Sequence, residues 1–171
     1  MELNGNVTDY HGEFADRADA GRRLAQALTR YQVLRPAVLA VPPGGVPVGF
    51  EIARALAAPF DVVEDPAGTW RSGRPPLSFA GRIAIVADDG SAPAGILRAA
   101  VRTLAAAGAA STVLAAPVAP PEMWYRVAAE ADDAVCLLLP PDFRSVAFYY
   151  RDFPPVGDAE ATDLLRRAGT P

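Results

Sequence analysis

Residues 81–92 have the sequence Gly-Arg-Ile-Ala-Ile-Val-Ala-Asp-Asp-Gly-Ser-Ala, and this stretch decides the fold. The apolar run from Ile83 to Ala87 has the length of a buried strand, and it ends directly at Asp88-Asp89-Gly90. A helix is predicted from about Pro93 to Ala107, with Gly108 as its C-terminal cap. The order of apolar strand, acidic turn and helix is typical of one unit of a parallel α/β sheet.

Three further apolar runs, at residues 37–41, 112–116 and 134–138, predict strands, and Phe60-Asp61-Val62-Val63 predicts another. Helices are predicted over residues 18–31, from Val48 to Leu56, from Pro121 and over residues 158–168. Asp16 or Asp19 is expected to cap the first of these helices. Continuous apolar strands that alternate with helices predict an α/β fold, a doubly wound parallel sheet of about five strands with helices on both faces. All 171 residues are expected to form a single domain.

The overall composition argues against membrane and nucleic-acid functions. The hydrophobic fraction of 51% supports one core, yet no run approaches the roughly 18 apolar residues that a membrane span requires. The first residues lack the basic and apolar segments of a secretory signal. A net charge of −4 gives no broad basic surface for nucleic acid. The single cysteine, Cys136, cannot form an internal disulfide, so we expect a cytoplasmic protein in which Cys136 is inert core.

The absence of lysine and the single histidine also argue against several catalytic mechanisms. All 16 Lys and Arg positions are arginine, so the chain has no Walker lysine, Schiff-base lysine or lysine general base. His11 is the only histidine, which argues against a multi-histidine metal site and against a Ser–His hydrolase. We assign His11 no role.

The paired carboxylates of Asp88 and Asp89 are the first candidate site. Ligands of open parallel sheets bind beyond the carboxyl ends of the strands, which is where this pair is predicted to lie. The acids are suited to accept hydrogen bonds from vicinal sugar hydroxyls, and the helix N-terminus that follows offers N–H groups to an anion. Together they match a ribose that carries a phosphate. An ordinary helix cap is the alternative for an aspartate at this position.

Four stretches in the right order resemble type I phosphoribosyltransferases. Residues 81–92 resemble the family's signature for phosphoribosyl pyrophosphate (PRPP). Residues 38–49 resemble its pyrophosphate loop, and residues 14–22 and 150–153 resemble further stretches of one bacterial subgroup. The resemblance spans most of the chain and implies the phosphoribosyltransferase fold.

The resemblance also implies how PRPP would bind. Asp88 and Asp89 would hold the ribose 2′- and 3′-hydroxyls, with Mg²⁺ near this pair chelated mainly by PRPP itself and without a direct protein ligand. The 5′-phosphate would be surrounded by Gly90, Ser91, Ala92, Ala94 and Gly95. Pro43, Gly44 and Gly45 would form the pyrophosphate loop, where glycine lets the backbone approach a ligand closely. Pyrophosphate would be displaced at the anomeric carbon, and the protein would mainly orient the reactants.

The sequence departs from the family pattern in both loops. Pro93, Ala94 and Ile96 stand where the family's phosphate loop carries Thr, Gly and a second Thr, so two hydroxyl donors are missing. Pro93 also lacks a backbone N–H. Pro43 replaces an arginine that the subgroup usually carries, which removes a cation from the pyrophosphate loop. Each lost hydrogen bond to a charged group costs roughly 1.5–3 kcal/mol, so we expect weak or no PRPP binding and impaired catalysis.

The connection between Asp61 and Gly81 is short. Related enzymes carry a longer segment there, with a mobile flap that closes over the reacting centre. The candidates to cover a ligand in this chain are Trp70, Arg71, Arg74 and Tyr150. The alternative for the first three is a packed loop with solvated arginines.

Other residues have two interpretations, and so does the function. Phe148, Tyr149 and Tyr150 either stack on a base or pack in the core. Arg17 and Arg22 either reach the ligand cleft or stay solvated. We expect a phosphoribosyltransferase-like protein that binds PRPP, or a related phosphorylated ribose or nucleotide, with impaired catalysis and with Mg²⁺ only when PRPP is bound. A non-catalytic sugar-phosphate or nucleotide-binding regulator, or a scaffold of the same fold, is the alternative. The oligomeric state stays open, with a homodimer as one candidate because relatives are often dimers.

Overall fold

The computed structural model describes residues 12–169, and its centre is a five-stranded, all-parallel sheet. The strands are β1 (Ala37–Ala40), β2 (Phe60–Val62), β3 (Ile83–Ala87), β4 (Ser111–Val118) and β5 (Asp133–Leu138). Their order across the sheet is β2-β1-β3-β4-β5, with β3 in the middle. All five predicted strands and the doubly wound α/β fold are confirmed.

Five α-helices within residues 12–169 cover the two faces of this sheet. They are α1 (Arg17–Ala27), α2 (Gly45–Leu56), α3 (Ala94–Ala106), α4 (Pro121–Ala128) and α5 (Asp158–Ala168). Helices α1, α2 and α5 pack on one face, and α3 and α4 pack on the other. Along β3, Ile85 and Ala87 belong to the first core and Ala84 and Val86 to the second. Burial on both faces is the reason that the strands are largely apolar.

Helix α1 is shorter than the sequence predicts, because a 3₁₀ helix over Thr29–Leu34 replaces its last turn. The hydroxyl of Thr29 donates to the carbonyls of Ala25 and Gln26 at 3.2 and 2.9 Å, and so competes with the backbone ladder of a continuing helix. Pro36 further disfavours helical geometry at the residue before it. The predicted helix over residues 18–31 is therefore wrong in its final turn.

The structure shows which residues cap the ends of helices α1 and α3. Asp16 accepts a hydrogen bond from the N–H of Asp19 at 2.8 Å, and Asp19 accepts one from the N–H of Ala15 at 2.9 Å. These reciprocal bonds satisfy donors at the start of the helix, so both predicted aspartates contribute. Pro93 has an extended ψ of 149° and is the N-cap of α3 instead of its first helical residue. Gly108 has a φ of +86° just beyond the helix and is the predicted cap.

Three further observations concern residues discussed from the sequence. Burial raises the pKa of the Cys136 thiol far above its usual range, and this thiol donates to the carbonyl of Leu138 at 3.2 Å. Cys136 is partly buried against the second core, and the inertness of its thiol stays a prediction. His11 lies outside the described residues. Among residues 12–169, no helix is both long enough and apolar enough to cross a membrane.

Candidate ligand-binding site

A cleft opens at the carboxyl ends of β1, β2 and β3, where the segments that follow these strands converge. Its volume is about 470 Å³, a size suited to a small molecule. The lining residues are Val41, Pro42, Pro43 and Gly44 after β1; Val63, Glu64, Asp65 and Trp70 after β2; and Asp88, Ser91, Ala92, Pro93 and Ile96 after β3. The cleft therefore lies at the edge where open parallel sheets bind their ligands.

Asp88 is the acid of the predicted pair that forms part of the cleft wall. Its Oδ2 accepts hydrogen bonds from the N–H groups of Gly90 at 2.9 Å and Ala92 at 3.1 Å. Burial, together with the charge of Asp89, raises the pKa of Asp88 to about 7, although the N–H donors act in the opposite direction. Near neutral pH the carboxyl group of Asp88 is therefore suited either to accept a hydrogen bond from a sugar hydroxyl or to donate one.

The raised pKa of Asp88 predicts a pH-dependent benefit from replacing it with asparagine. An unfolded aspartate has a pKa of about 3.9, so the folded protein holds this proton more tightly and loses stability as the pH rises from about 4 to about 7. Asp88→Asn keeps an oxygen that can accept from Gly90 and Ala92, and it carries no charge. Relative to wild type, we expect its free energy of unfolding to improve by about 1 kcal/mol or more between pH 5 and pH 8. Urea denaturation at both pH values measures this, and a constant or shrinking difference would contradict the raised pKa.

Asp89 is fully buried behind the cleft and is not part of its lining. Its Oδ2 accepts a hydrogen bond from Nε of Arg17 at 2.9 Å. Its Oδ1 accepts from the N–H and the hydroxyl of Ser91, at 2.8 and 2.5 Å. Arg17 also donates to the carbonyl of Pro154 at 2.5 Å, and its guanidinium carbon lies 3.7 Å from the centre of the Phe153 ring. Both carboxylate oxygens of Asp89 are thus engaged inside the protein. Both acids of the predicted pair are buried, and Asp88, which is 2% exposed, is the one that borders the cleft.

Gly44 and Gly45 allow the loops after β1 and β3 to touch each other. A Cβ on Gly44 would lie 2.1 Å from Oδ2 of Asp89, and a Cβ on Gly45 would lie 2.7 Å from the carbonyl oxygen of Ala87. The sequence predicted a close backbone approach at these glycines. The groups that approach closely are Asp89 and Ala87 of the protein itself, so the glycines are explained by internal packing.

Tyr150 supports the acidic loop from the interior and does not line the cleft. Its ring is buried, and its hydroxyl donates to the carbonyl oxygen of Asp89 at 2.7 Å. Tyr149 is buried in the same cluster, and the ring of Phe148 packs against it edge to face. Of the two interpretations of these aromatics, the structure shows core packing.

The segment after β2 is a packed loop whose acids bind its own backbone. Glu64 accepts hydrogen bonds from the N–H groups of Trp70 and Arg71, at 2.9 and 2.6 Å. Asp65 accepts from the N–H and the hydroxyl of Thr69, at 3.0 and 2.6 Å. These bonds tie the loop to itself and hold Trp70 in the cleft wall, where a covering residue was predicted.

The two arginines of this loop bind protein groups instead of the cleft. Nε of Arg71 lies 2.9 and 3.1 Å from the two carboxylate oxygens of Asp61, which is buried and needs a counter-ion. Nη2 of Arg74 donates to the carbonyl of Leu165 in α5 at 3.0 Å. Neither arginine lines the cleft. The interpretation as solvated arginines is wrong for Arg71, whose side chain is 21% exposed.

The chain and its architecture are similar to proteins named as phosphoribosyltransferases. No protein-family model matches the chain. Two curated proteins from the CDC 1551 and H37Rv strains of Mycobacterium tuberculosis, each named "Putative phosphoribosyl transferase", are 33% identical to it over 91% of its length. The chain spans about half, 47%, of the length of these relatives.

Solved structures extend the comparison to three dimensions. TT1426 from Thermus thermophilus is 29% identical, with a TM-score of 0.82, over 92% of this chain and 99% of that one. A purine phosphoribosyltransferase from Pyrococcus horikoshii is 21% identical, with a TM-score of 0.53, over 82% of this chain and 93% of that one. The chain has the phosphoribosyltransferase fold.

In this phosphoribosyltransferase fold, few N–H groups remain for a phosphate. The N–H groups of three predicted phosphate-binding residues are bound to Asp88 or Asp89: those of Gly90, Ser91 and Ala92. Pro93 has no N–H to offer. Ala94 and Gly95 begin α3, and N–H groups in a first helical turn have no acceptor within the helix. Of the predicted phosphate-binding residues, these two keep an N–H group without a helix acceptor, and neither is among the residues that line the cleft.

The sequence predicts the position of the cleft in this phosphoribosyltransferase fold but not all of its wall. Glu64 and Asp65 also line it, and the signal in the sequence is that acids directly after a predicted strand lie at the ligand edge of a parallel sheet. The sequence predicts either the cleft or the solvent for Arg17, and the structure shows neither, since Arg17 is buried against Asp89. Arg22 is a surface residue with a side chain that is 52% exposed.

Proposed function

We propose that this chain is a member of the phosphoribosyltransferase family that binds PRPP, or a related phosphorylated ribose or nucleotide, with impaired catalysis. The observation that carries the proposal is the position of Asp88, in the wall of a cleft at the carboxyl ends of the strands and beside the N-terminus of α3. An acid there suits ribose hydroxyls, and the helix N-terminus suits a 5′-phosphate. The similarity to the two mycobacterial proteins supports the same family.

Features of the cleft support binding without efficient turnover. Departure of pyrophosphate requires groups that stabilise its developing charge, and no arginine is among the described residues that line the cleft. The loop after β2 is tied to itself by Glu64 and Asp65, which does not suit a lid that closes over substrate. The alignment with the mycobacterial relatives covers 207 residues, more than the whole chain, so these relatives contain residues with no counterpart here.

A non-catalytic regulator that binds a sugar phosphate or a nucleotide is the second candidate function. The same observation favours it, because Asp88 in the cleft wall can still bind the hydroxyls of a sugar. The described lining has no cation that would stabilise a departing pyrophosphate. The two candidates differ in one measurable product, which is pyrophosphate.

The cleft fits Mg²⁺ only as part of a ligand complex. Within residues 12–169, there is no group of three or more His, Cys, Asp or Glu side chains that could hold a metal ion. The oxygens of Asp89 are taken by Arg17 and Ser91, which leaves Asp88 as the residue of the pair able to approach a metal carried by the ligand. Mg²⁺ bound to PRPP would supply charge neutralisation of the pyrophosphate.

Calorimetric titration of PRPP with Mg²⁺ tests the proposal. We expect wild type to bind more weakly than about 100 µM, because at least two charge-assisted hydrogen bonds of the family's loops are missing. Asp88→Asn should bind at least about fivefold more weakly again. Asp163→Asn, which changes an exposed acid on α5, is the matched control and should bind as wild type does. Pyrophosphate release in the presence of adenine, guanine, hypoxanthine or uracil should stay at background.

Two outcomes would overturn parts of this proposal. Pyrophosphate release at enzymatic rates that Asp88→Asn abolishes would show that catalysis is intact. Absence of binding for PRPP and for ribose 5-phosphate, in both wild type and the control, would remove the ligand and leave only the fold.

A further inference from the structure

Only one crossover of the sheet, the connection from β2 to β3, contains no helix in the described chain. The other three contain α2, α3 and α4. From β2 the chain passes β1 to reach β3, in the same direction across the sheet as the crossovers through α3 and α4. Right-handed crossovers that run in one direction lie on one face of a sheet. Residues 63–82 therefore lie on the face of α3 and α4, and their Leu77 and Phe79 join the core that these helices cover.

A second cavity, of about 440 Å³, lies between this segment and α3. It is lined by Leu39 of β1, by Leu77 and Phe79 of the segment, and by Ala100 and Leu104 of α3. Its volume is within the range of small-molecule sites. The segment 63–82 thus leaves open a space that a crossover helix would fill.

Helix α3 and the residue that follows it present small side chains to this cavity. Ala99, Thr103 and Ala107 line it and are exposed to solvent. Larger side chains at these positions would fill the volume, as side chains do in close-packed interiors. The cavity therefore combines a mainly apolar wall with an opening through which a small molecule can enter.

Arg71 supplies the cavity with hydrogen-bond donors. Its Nε lies 2.9 and 3.1 Å from the two carboxylate oxygens of Asp61, and its Nη2 donates to the carbonyl of Val62 at 3.1 Å. Within residues 12–169, Nη1 of Arg71 has no hydrogen-bond acceptor. The oxygens of Asp61 also accept from the N–H groups of Val62 and Leu77, at 2.8 and 2.9 Å. The arginine of this pair therefore keeps donors for a ligand, whereas the acceptors of the aspartate are already used.

The charges around the cavity favour an uncharged ligand. Asp61 neutralises Arg71, and Glu64 is the remaining charged residue of the described lining. An anion would be repelled by Glu64. A cation would compete with the N–H groups of Asp65, Trp70 and Arg71, from which the two oxygens of Glu64 accept hydrogen bonds. In a mainly apolar wall, neither kind of ion would recover the free energy of its lost hydration.

We propose that this cavity binds an uncharged, mainly apolar molecule with one hydrogen-bond acceptor, such as a carbonyl oxygen, which accepts from the guanidinium of Arg71. The site is distinct from the cleft that contains Asp88, although Val63, Glu64 and Ile96 line both. The inference goes beyond the proposed function and does not depend on it, because the cavity binds its ligand whether or not the cleft binds PRPP.

NMR titration of isotope-labelled wild type with four one-ring probes at pH 7 tests the site. Acetophenone carries a carbonyl, ethylbenzene lacks the acceptor, and benzoate and benzylamine add a negative or a positive charge to a ring of similar size. Acetophenone should shift the amide signals of Leu77, Thr103 and Leu104 until they saturate. It should bind at least about fivefold more tightly than the other three probes, because a hydrogen bond to a charged donor contributes a factor of about ten or more.

Each contrary result of the titration overturns a stated part of the inference. Ethylbenzene binding as tightly as acetophenone would remove the role of Arg71, and benzoate or benzylamine binding as tightly would contradict the preference for an uncharged ligand. Shifts confined to Trp70 and Ser91 would place the probes in the cleft and overturn the second site. Unchanged amide signals with all four probes would overturn the inference as a whole.

A substitution that fills the cavity provides an independent test. Ala99 and Ala105 are both exposed on α3, and Ala99 lines the cavity whereas Ala105 does not. Ala99→Phe should weaken acetophenone binding at least about tenfold, and the matched control Ala105→Phe should leave it unchanged within about twofold. Thermal unfolding checks that both variants fold. Wild-type affinity in Ala99→Phe, or an equal loss in both variants, would overturn the location of the site.

Discussion

Replacing Asp89 with alanine is expected to lower the free energy of unfolding by about 3–5 kcal/mol, the cost of leaving one member of a buried ion pair alone. Its partner Arg17 has a side chain that is 9% exposed, and Asp89 itself is completely buried. The substitution also removes the acceptor for the N–H and hydroxyl of Ser91. Urea denaturation at pH 7 measures the loss.

Two comparison variants make the Asp89 prediction specific. Asp163→Ala removes an exposed carboxylate 2.5 Å from Nη2 of Arg166, and exposed pairs contribute about 1 kcal/mol at most. The double variant Arg17→Met with Asp89→Leu removes both charges, so it should be more stable than Asp89→Ala alone. A loss for Asp89→Ala no larger than that of Asp163→Ala would show that the Arg17–Asp89 pair is not buried as described.

Gly44→Ala is expected to destabilise the fold by about 2–3 kcal/mol, towards the upper end of the usual cost of overpacking. The new Cβ would lie 2.1 Å from Oδ2 and 2.8 Å from Cγ of Asp89, whose carboxylate is held by Arg17 and Ser91. Gly44 has a φ of −67° and a ψ of −30°, so alanine meets no backbone strain there. The loss therefore measures the contact with Asp89. Thermal unfolding followed by circular dichroism provides the readout.

Gly95→Ala is the matched control for this contact. Gly95 lies in the first turn of α3, and a Cβ placed on it meets nothing within 4 Å. Alanine is also the better helix former, by roughly 0.8–1 kcal/mol in a helix interior. We expect Gly95→Ala to be neutral or slightly stabilising. If Gly44→Ala were equally harmless, the loops after β1 and β3 would not pack as closely as the structure shows.

The Asp89→Ala and Gly44→Ala variants both act on the contacts that hold Asp88 at the cleft. Asp89 joins α1 through Arg17, the loop after β1 through the contact with Gly44, and the residues before α5 through the hydroxyl of Tyr150. Stability measurements on Asp89 and Gly44 therefore complement binding measurements on Asp88. The stability measurements test the contacts that support the site, and the binding measurements test whether the site binds a ligand.

The fold was predictable because its signals are local. Each strand is largely apolar, as burial on both faces requires, and proline or acidic residues follow the apolar segments at or near their ends. Asp61 is the buried polar exception inside β2. Asp16 and Gly108 marked helix termini through capping chemistry that acts within a few residues. The last turn of α1 was mispredicted because Thr29 competes with the helix through its own hydroxyl, an effect that apolar spacing does not show.

By itself, the sequence determined the parallel sheet and the place where Asp88 and Asp89 leave it. The tertiary structure alone decided that the two acids differ, with one in the cleft wall and the other in an ion pair with Arg17, 72 positions away in the chain. It also decided that Glu64 binds its own loop and that the carboxylate of Asp89 occupies the space where a Cβ on Gly44 would lie. The physical reason is that a carboxylate takes whichever donor the fold brings within about 3 Å, and donors that are distant in sequence become neighbours only when the helices and loops pack.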